Sequence, residues 1–335
     1  MRVGVIILNY NGLNLLKTYL PSVIEHSSNH DIYLADNAST DDSVAWVESN
    51  LKEVRLISLD QNYGYAGGYN KAIKQVNNEI LCLINSDVRV TSGWCEKIIE
   101  RFKGEEDLAA LQPKIKDDKK SDYFEYAGAA GGFLDRFAYP YCRGRIFDTI
   151  EKDVGQYDNN VYLDWASGAC FFIRRSAFVI SQGFDTEYFA HQEEIDLCWR
   201  LRSLGHVIST CNEVEVFHLG GGTLSTNNPK KVYLNFRNNL FNIVKNDLSS
   251  TWILILFIRM VLDGVAALKF LRQGKIDFFK AVLKAHFNFY KNFSSNYRKR
   301  LLFKKEIKVY NSKKNINSIV FQYFLRNKKY YSQLN

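Results

Sequence analysis

The 335-residue chain reads as an α/β protein whose first part is a parallel sheet covered by helices. Three observations predict this. Over the first 110 residues, short apolar runs alternate with segments of helical spacing, the rhythm of strands joined by crossover helices. Polar residues follow several of the apolar runs, so Asn9-Tyr10-Asn11, Asp36-Asn37 and Asn85-Ser86-Asp87 gather on the rim where such sheets bind ligands. With 46% hydrophobic residues and 4 prolines, the chain can bury one large core and a smaller appendage without long linkers.

The elements follow in order. Val3 to Leu8 is a continuous apolar run, read as a first buried strand and too short for a signal-peptide core. Leu13 to Ile24 has helical spacing, and Asp31 to Leu34 leads into a second strand ending at Asp36-Asn37. Asp41 to Asn50 is a helix, with Ser39 to Asp42 supplying its cap. Val54 to Leu59 is a third strand, Tyr69 to Val76 a helix and Ile80 to Ile84 a fourth strand. From about residue 112 the rhythm breaks. Lys114 to Lys120 reads as a charged loop, Tyr126 to Gly132 as a flexible glycine-rich stretch, and Asp164 to Arg174 as an apolar strand. Turn chemistry at Ser225 to Pro229 suggests a division into residues 1–230 and 231–335.

Charge divides the chain in the same way. Residues 241–335 hold 19 Lys and Arg against 4 Asp and Glu, a net of +15, while the first 240 residues carry a net of −7. An acidic body disfavours nucleic acid as its partner. The 6 cysteines show no CxxC pairing, the pattern of reduced thiols in a cytoplasmic protein rather than a disulfide or zinc framework.

The densest chemistry is His191-Gln192-Glu193-Glu194-Ile195-Asp196, with three carboxylates at the start of a helix. Crowded like charges raise the pKa of at least one carboxylate, which suits a base; a solvated helix start is the plainer reading. Asn9 and Tyr10 can meet a nucleobase, or form an ordinary strand-end turn. Asp36 is placed to accept from a pyrimidine N3–H. In Asn62-Tyr63-Gly64-Tyr65-Ala66-Gly67-Gly68-Tyr69-Asn70, glycines before a helix allow a ligand close to the backbone. Asn85 and Asp87 lie two apart on an extended segment and face one way, around Ser86. His218, followed by Gly220-Gly221-Gly222, can add a nitrogen to Asp87 in a divalent-cation site.

Taken in order, these motifs resemble the family 2 inverting glycosyltransferases with a GT-A fold, and the rhamnosyltransferase-like members among them, over residues 1–240. The resemblance implies a Rossmann-like mixed sheet and transfer of a sugar from a nucleoside-diphosphate donor, dTDP-rhamnose or a UDP-sugar, to a glycan or lipid-linked acceptor. It implies a donor site at Asn9, Tyr10, Asp36, Asn62, Gly64, Gly67, Asn70, Asn85, Ser86 and Arg237. It implies Mg²⁺ or Mn²⁺ on Asp87 and His218, and a base among Glu194, Glu193 and Asp196, with Glu194 preferred. Arg237 would contact the diphosphate or lock the tail. Two positions depart from the family pattern: Asn-Ser-Asp replaces Asp-x-Asp, and Glu-Glu replaces the commoner Glu-Asp. A nucleotidyltransferase making an activated sugar is the rival enzyme, but no Lys or Arg stands beside the first strand's end to hold a triphosphate. A non-catalytic glycan- or nucleotide-binding module is the rival from another class.

In the basic region, Trp252 to Ile258 is strongly apolar but is followed by Arg259, Asp263 and Lys269, so no stretch reaches the roughly 18 residues of a spanning helix. A second helix sets Ile276, Phe279, Leu283, Phe287 and Tyr290 on one face near Lys280, Lys284 and Lys291. Such basic amphipathic helices bind anionic membrane surfaces, which points to peripheral attachment at the inner face of the cell membrane.

Overall fold

The structure, a computed structural model, describes residues 1–220, 228–307 and 316–334. Its first part is β1 (Val3–Asn9), α1 (Leu13–His26), β2 (Asp31–Asp36), α2 (Ser43–Asn50), β3 (Val54–Ser58), α3 (Gly64–Ile73) and β4 (Ile80–Asn85). Strands β3, β2, β1 and β4 lie side by side and parallel. Val3, Val5 and Ile7 of β1 pack with Leu16 and Leu20 of α1, while Ile6 joins Tyr69 and Ala72 of α3 on the opposite face. A strand covered on both faces has no solvent side to make polar, hence the unbroken apolar run.

The sheet then becomes mixed. β5 (Val88–Arg89) and α4 (Trp94–Gly104) precede β6 (Leu108–Asp117), and β11 (Cys170–Arg174) runs antiparallel between β4 and β6. β12 (Val207–His218) lies parallel to β6, and β5 pairs with the end of β12 at the far edge of the 8-stranded sheet. β5 begins three residues after β4 ends, yet sits at the opposite edge. The sheet is therefore curled, and the curl carries the end of β12 to the end of β4.

Four local expectations are corrected. Residues Lys114 to Asp117 form the end of β6 rather than a loop, because Lys114 is buried against Asp153, Asp158 and Glu215 at 3.2, 2.5 and 3.4 Å. The stretch 126–132 is packed, not loose: Ala129 and Ala130 are fully buried, and a Cβ on Gly132 would lie 2.2 Å from the Trp165 ring. The strand expected over 164–174 is confined to β11. Helix α3 starts at Gly64, not Tyr69, so its glycines lie inside the helix. Gly68 is there because a side chain would meet Leu8 at 2.8 Å, which is how closely α3 approaches β1.

Between β6 and β11 a second, antiparallel sheet of 4 strands is built from β7 (Gly132–Leu134), β8 (Pro140–Cys142), β9 (Arg145–Ile146) and β10 (Thr149–Ile150). Helices α5 (Arg175–Ile180) and α6 (Glu193–Ser203) follow β11. The last part is α7 (Pro229–Asn246), α8 (Trp252–Arg272), α9 (Ile276–Lys291) and α10 (Phe293–Phe303). The division expected at 230/231 falls in the first turn of α7, where Asn228 caps the helix by accepting from Lys230 N–H at 2.8 Å. The turn residues 225–227 and Gly221-Gly222 lie outside the described residues.

These helices are knitted to the sheet domain. On α10, Lys299 Nζ is 2.8 Å from Asp185 and 3.1 Å from Glu187, while Ser295 donates to Glu187 at 2.8 Å. Residues 316–334 cover the small sheet: Ile319 N–H donates to Asp135 at 2.8 Å, and Tyr331 packs on Phe133 and Tyr141. Among the described residues, no helix is long and apolar enough to cross a membrane. A chain cut after residue 250 loses these partners and leaves Asp185 and Glu187 without Lys299. It is expected to lose its cooperative thermal transition and its solubility, measured by differential scanning fluorimetry and by the soluble fraction on expression.

Candidate active site

The ends of β1 and β2 meet through side chains. Register sets Asn9 opposite Asp36. The buried Asn9 amide donates to Asp36 at 2.9 Å, to Ser39 at 3.1 Å and to Ser43 at 2.9 Å, and Asp36 also accepts from Ser39 hydroxyl and backbone N–H. Asn9 is thus a strut that braces Asp36, not a group open to a ligand. Tyr10, next in sequence, is exposed on the rim.

The glycine-rich segment also serves packing first. Gly64 takes a left-handed φ of 68°, and a Cβ there would lie 2.5 Å from Phe189 O. A Cβ on Gly67 would lie 2.8 Å from Tyr63 Cβ, inside the same turn. Asn62 accepts from Gly64 N–H at 2.8 Å. Asn70 pairs both ends of its amide with the Phe184 backbone, at 2.7 and 2.9 Å. Gly64 and Asn70 therefore dock α3 against residues 184–189, and Gly67 leaves room for Tyr63 at the helix start, so all three have a packing role beside the expected ligand approach.

The curl builds the third cluster. β12 pairs antiparallel to β5 with His218 opposite Val88, which sets the imidazole beside the residue before Val88. His218 Nε2 is 3.1 Å from Asp87 and 3.4 Å from Asn85 Nδ2, and Leu219 N–H donates to Asp87 O at 3.0 Å. Ser86 is half-buried between Asn85 and Asp87. His218 Nδ1 lies 3.2 Å from Glu125, a buried carboxylate that sequence reasoning missed. Its signal was faint: one acidic residue in Tyr123-Phe124-Glu125-Tyr126 ahead of the glycines. Burial alone would lower the imidazole pKa, but Glu125 and Asp87 outweigh it and hold His218 up at about 10.

Glu193 and Glu194 open α6 behind a strained loop. Phe189, His191 and Gln192 all have positive φ, at 65°, 66° and 73°, although none is glycine. Each such residue costs about 1–3 kcal/mol and persists only where its surroundings over-determine it. Helix α7 does so. Arg237 donates to Glu187 O at 2.9 Å and Tyr188 O at 3.1 Å, and the Asn238 amide lies within 3.1 Å of the Tyr188, Ala190 and His191 carbonyls. Arg237 therefore locks the loop, the second of its two expected roles. One oxygen each of Glu193 and Glu194 is buried without a partner among the described residues. Burial, then Glu194 beside it, pushes the Glu193 carboxyl well up; burial pushes Glu194 up to about 7. Tyr65 lies within electrostatic reach of both carboxylates and donates at 2.8 Å to Gly168 O, beside the Ala169 carbonyl that accepts from Asn85 N–H.

Asp196 belongs elsewhere. It is fully buried, 2.8 Å from Arg200, Lys245 and Asn246, and the two cations with the Asn246 amide hold its carboxyl below the usual range against the effect of burial. Its carboxylate is committed to these buried partners, which supports a structural role in place of the expected catalytic one. The carboxylate cluster divides in two: a pair at the site and a member in the core.

Residues 4–178, just over half of the chain, match the family described as Glycosyl transferase family 2. The chain belongs to that family. It is 26% identical over 201 residues to the N-acetylglucosaminyl-diphospho-decaprenol L-rhamnosyltransferase of Mycobacterium tuberculosis, covering 56% of this chain and 66% of that relative. The chain thus spans slightly under two thirds of that curated relative. In fold it is similar to S. aureus TarS 1–349 in complex with UDP-GlcNAc (TM-score 0.55, 15% identity, 94% of this chain and 96% of that one). It is likewise similar to the mannosyltransferase PcManGT of Pyrobaculum calidifontis with GDP-Man and Mn²⁺ (TM-score 0.54, 12% identity, 86% and 87%). These likenesses establish the GT-A type of curled mixed sheet.

Such a sheet raises the question of a cation. Among the described residues, no three His, Cys, Asp or Glu side chains converge on one point. Asp87 and His218 provide two donors, which suits a hard cation that takes few protein ligands and completes its shell from phosphate oxygens and water. Glu125 on the far nitrogen suits it too, since a carboxylate there fixes the tautomer that turns Nε2 toward a metal. The residues fit.

The pKa of Glu194 carries a stability consequence. The folded value of about 7 lies above the ordinary 4.5, so the folded state keeps a proton that the unfolded chain releases, and stability falls as pH rises through that window. Glu194→Gln removes the titration. Its melting temperature should exceed that of the parent at pH 8 and converge with it near pH 5, read by calorimetry.

Proposed function

We propose that the chain is an inverting glycosyltransferase that moves a sugar from a nucleoside-diphosphate donor to an acceptor hydroxyl in cell-surface polysaccharide synthesis. The observation that carries this reading is the pairing of two chemistries on one rim. A carboxylate pair with raised pKa opens α6 behind a strained, clamped loop. Tyr65, within electrostatic reach of that pair, donates to Gly168 O next to the carbonyl that accepts from Asn85 N–H. A carboxylate with a pKa near 7 is a suitable general base at neutral pH. Glu194 takes the proton of the acceptor hydroxyl as its oxygen attacks the anomeric carbon in line. Glu193, whose carboxyl is pushed well up by burial and then by Glu194, stands beside it.

At the other end, Asp36 and Tyr10 receive the base and ribose, with Asn62 and Ser86 nearby. Asp87 and His218 would hold Mg²⁺ or Mn²⁺, with Asn85 beside them. The cation would supply charge stabilisation for the departing diphosphate. Glu125 keeps His218 in the tautomer that leaves Nε2 directed toward Asp87. The donor is a dTDP- or UDP-sugar; similarity to a rhamnosyltransferase that acts on a decaprenol-linked sugar favours rhamnose and a lipid-linked acceptor. The basic C-terminal region fits such an acceptor, since it supplies attraction to an anionic membrane at the inner face of the cell.

Three outcomes follow. With a panel of nucleotide sugars and Mn²⁺, donor hydrolysis or transfer should appear for one donor class and vanish in Asp87→Ala; full activity of that variant in EDTA would overturn the metal assignment. Glu194→Gln should retain donor affinity while turnover falls by roughly 10² to 10⁴, and the parent rate should decline below about pH 7 as the base protonates. The same phenotype in Glu193→Gln, with Glu194→Gln active, would exchange the two roles. Glu125→Gln should weaken Mn²⁺-dependent donor binding by about 10- to 100-fold, measured by calorimetric titration, and leave the melting temperature within a few degrees.

A further inference from the structure

The charges that interrupt the apolar sequence of α8 do not interrupt its surface. Arg259 and Asp263 point inward: they pair with each other at 2.9 Å, and the Arg259 guanidinium lies 3.6 Å from the Tyr139 ring centroid, both side chains buried. The outward side carries Ile253, Leu254, Phe257, Val261, Val265 and Leu268, each more than half exposed. No charged residue stands among them until Lys269. At about 1.5 Å per residue this is an apolar stripe roughly 20 Å long, far beyond the scattered exposed apolar residues of an ordinary surface.

The stripe continues past the helix. A groove of about 520 Å³ runs between Ile258 and Leu262 of α8 and Phe321 and Leu325 of the C-terminal segment. Phe324 and Leu325 are exposed beside it, and Lys269 lies 5.1 Å from the Phe324 ring. Cations border this end: Lys269, Arg272 and Lys275 where α8 finishes, and Arg326 opposite. We infer that the outer face of α8, with residues 321–326, is the surface by which the protein seats on an anionic lipid bilayer. Apolar side chains enter the interface while the bordering cations meet lipid phosphates. Charge selects this occupant over a second copy of the chain, because a symmetric contact would bring together the bordering Lys269, Arg272, Lys275 and Arg326 of both copies. The inference rests on the membrane partner proposed above, moves its chief contact from α9 to α8, and requires no catalytic assignment.

Vesicle cosedimentation of the full chain tests it without turnover, so its failure is separable from failure of the transfer reaction. The protein should bind vesicles of phosphatidylglycerol and phosphatidylcholine, bind pure phosphatidylcholine at least tenfold more weakly, and be released by salt. Phe257→Glu with Val261→Glu should lower binding at least tenfold, and Lys269→Glu with Arg272→Glu should do the same while flattening the salt dependence. Leu283→Glu with Phe287→Glu on α9 should change it no more than about twofold. Circular dichroism checks that each variant folds, and Phe257→Ser with Val261→Ser replaces the glutamate pair if that pair does not. Equal binding to both vesicles, a dominant effect of the α9 pair, or an α8 variant that dissolves a dimer and leaves vesicle binding intact would each overturn the inference.

Discussion

Helix α7 holds the loop of residues 187–192 in a conformation that those residues would not take alone, and the site depends on that grip. Arg237 and Asn238 fasten its carbonyls. Asn239 reaches Gln192 and the Ala138 carbonyl, and the Tyr188 hydroxyl donates to Asn242 at 2.8 Å. Lys245 at the far end binds Asp185 at 2.5 Å and Asp196 at 2.8 Å. Five side chains of one helix thereby meet both flanks of the acidic pair. Left-handed φ at Phe189, His191 and Gln192 is affordable only because each strained peptide gains fixed partners.

The same grip explains how two kinds of buried carboxylate coexist a single turn apart. Asp196 and Asp185 share Lys245, with Arg200 and Lys299 as further cations, so both remain charged in the interior. Glu193 and Glu194 have no cation partner among the described residues and therefore hold their proton more tightly. Burial acts on all four; compensating charge separates their behaviour. Removing one partner from a buried pair costs about 3–5 kcal/mol, so the ion pairs of Asp185 and Asp196 with Lys245, Arg200 and Lys299 constrain the segment between them.

The basic C-terminal region consequently has two faces with different physics. Inward, Lys245, Lys299, Arg259 and Arg300 are consumed by carboxylates and carbonyls, such as Val244 O at 3.0 Å from Arg300. Outward, other lysines and arginines stand at the end of α8 and along α9, among them Lys269, Arg272, Lys280 and Lys291. A charge count cannot distinguish the two uses, which is why helix α8 looked interrupted as a string of letters and is uninterrupted as a surface.

The sequence by itself determined the first half of the fold, the family and the rim. Apolar runs of strand length and the polar residues that end them are local properties, and they singled out Asp36, Asp87 and the Glu193-Glu194 pair as candidates. What the tertiary structure decided was who partners whom. Asn9, Gly64 and Asn70 carry the family's motif yet hold elements together, because their neighbours, Asp36, Phe189 and Phe184, come from distant segments. Glu125 gained its importance only when the curled sheet set His218 beside Asp87, and Asp196 lost its catalytic reading when α7 brought Lys245. Periodicity is written within a dozen residues; ion pairing across 50 or 90 is written only by the fold.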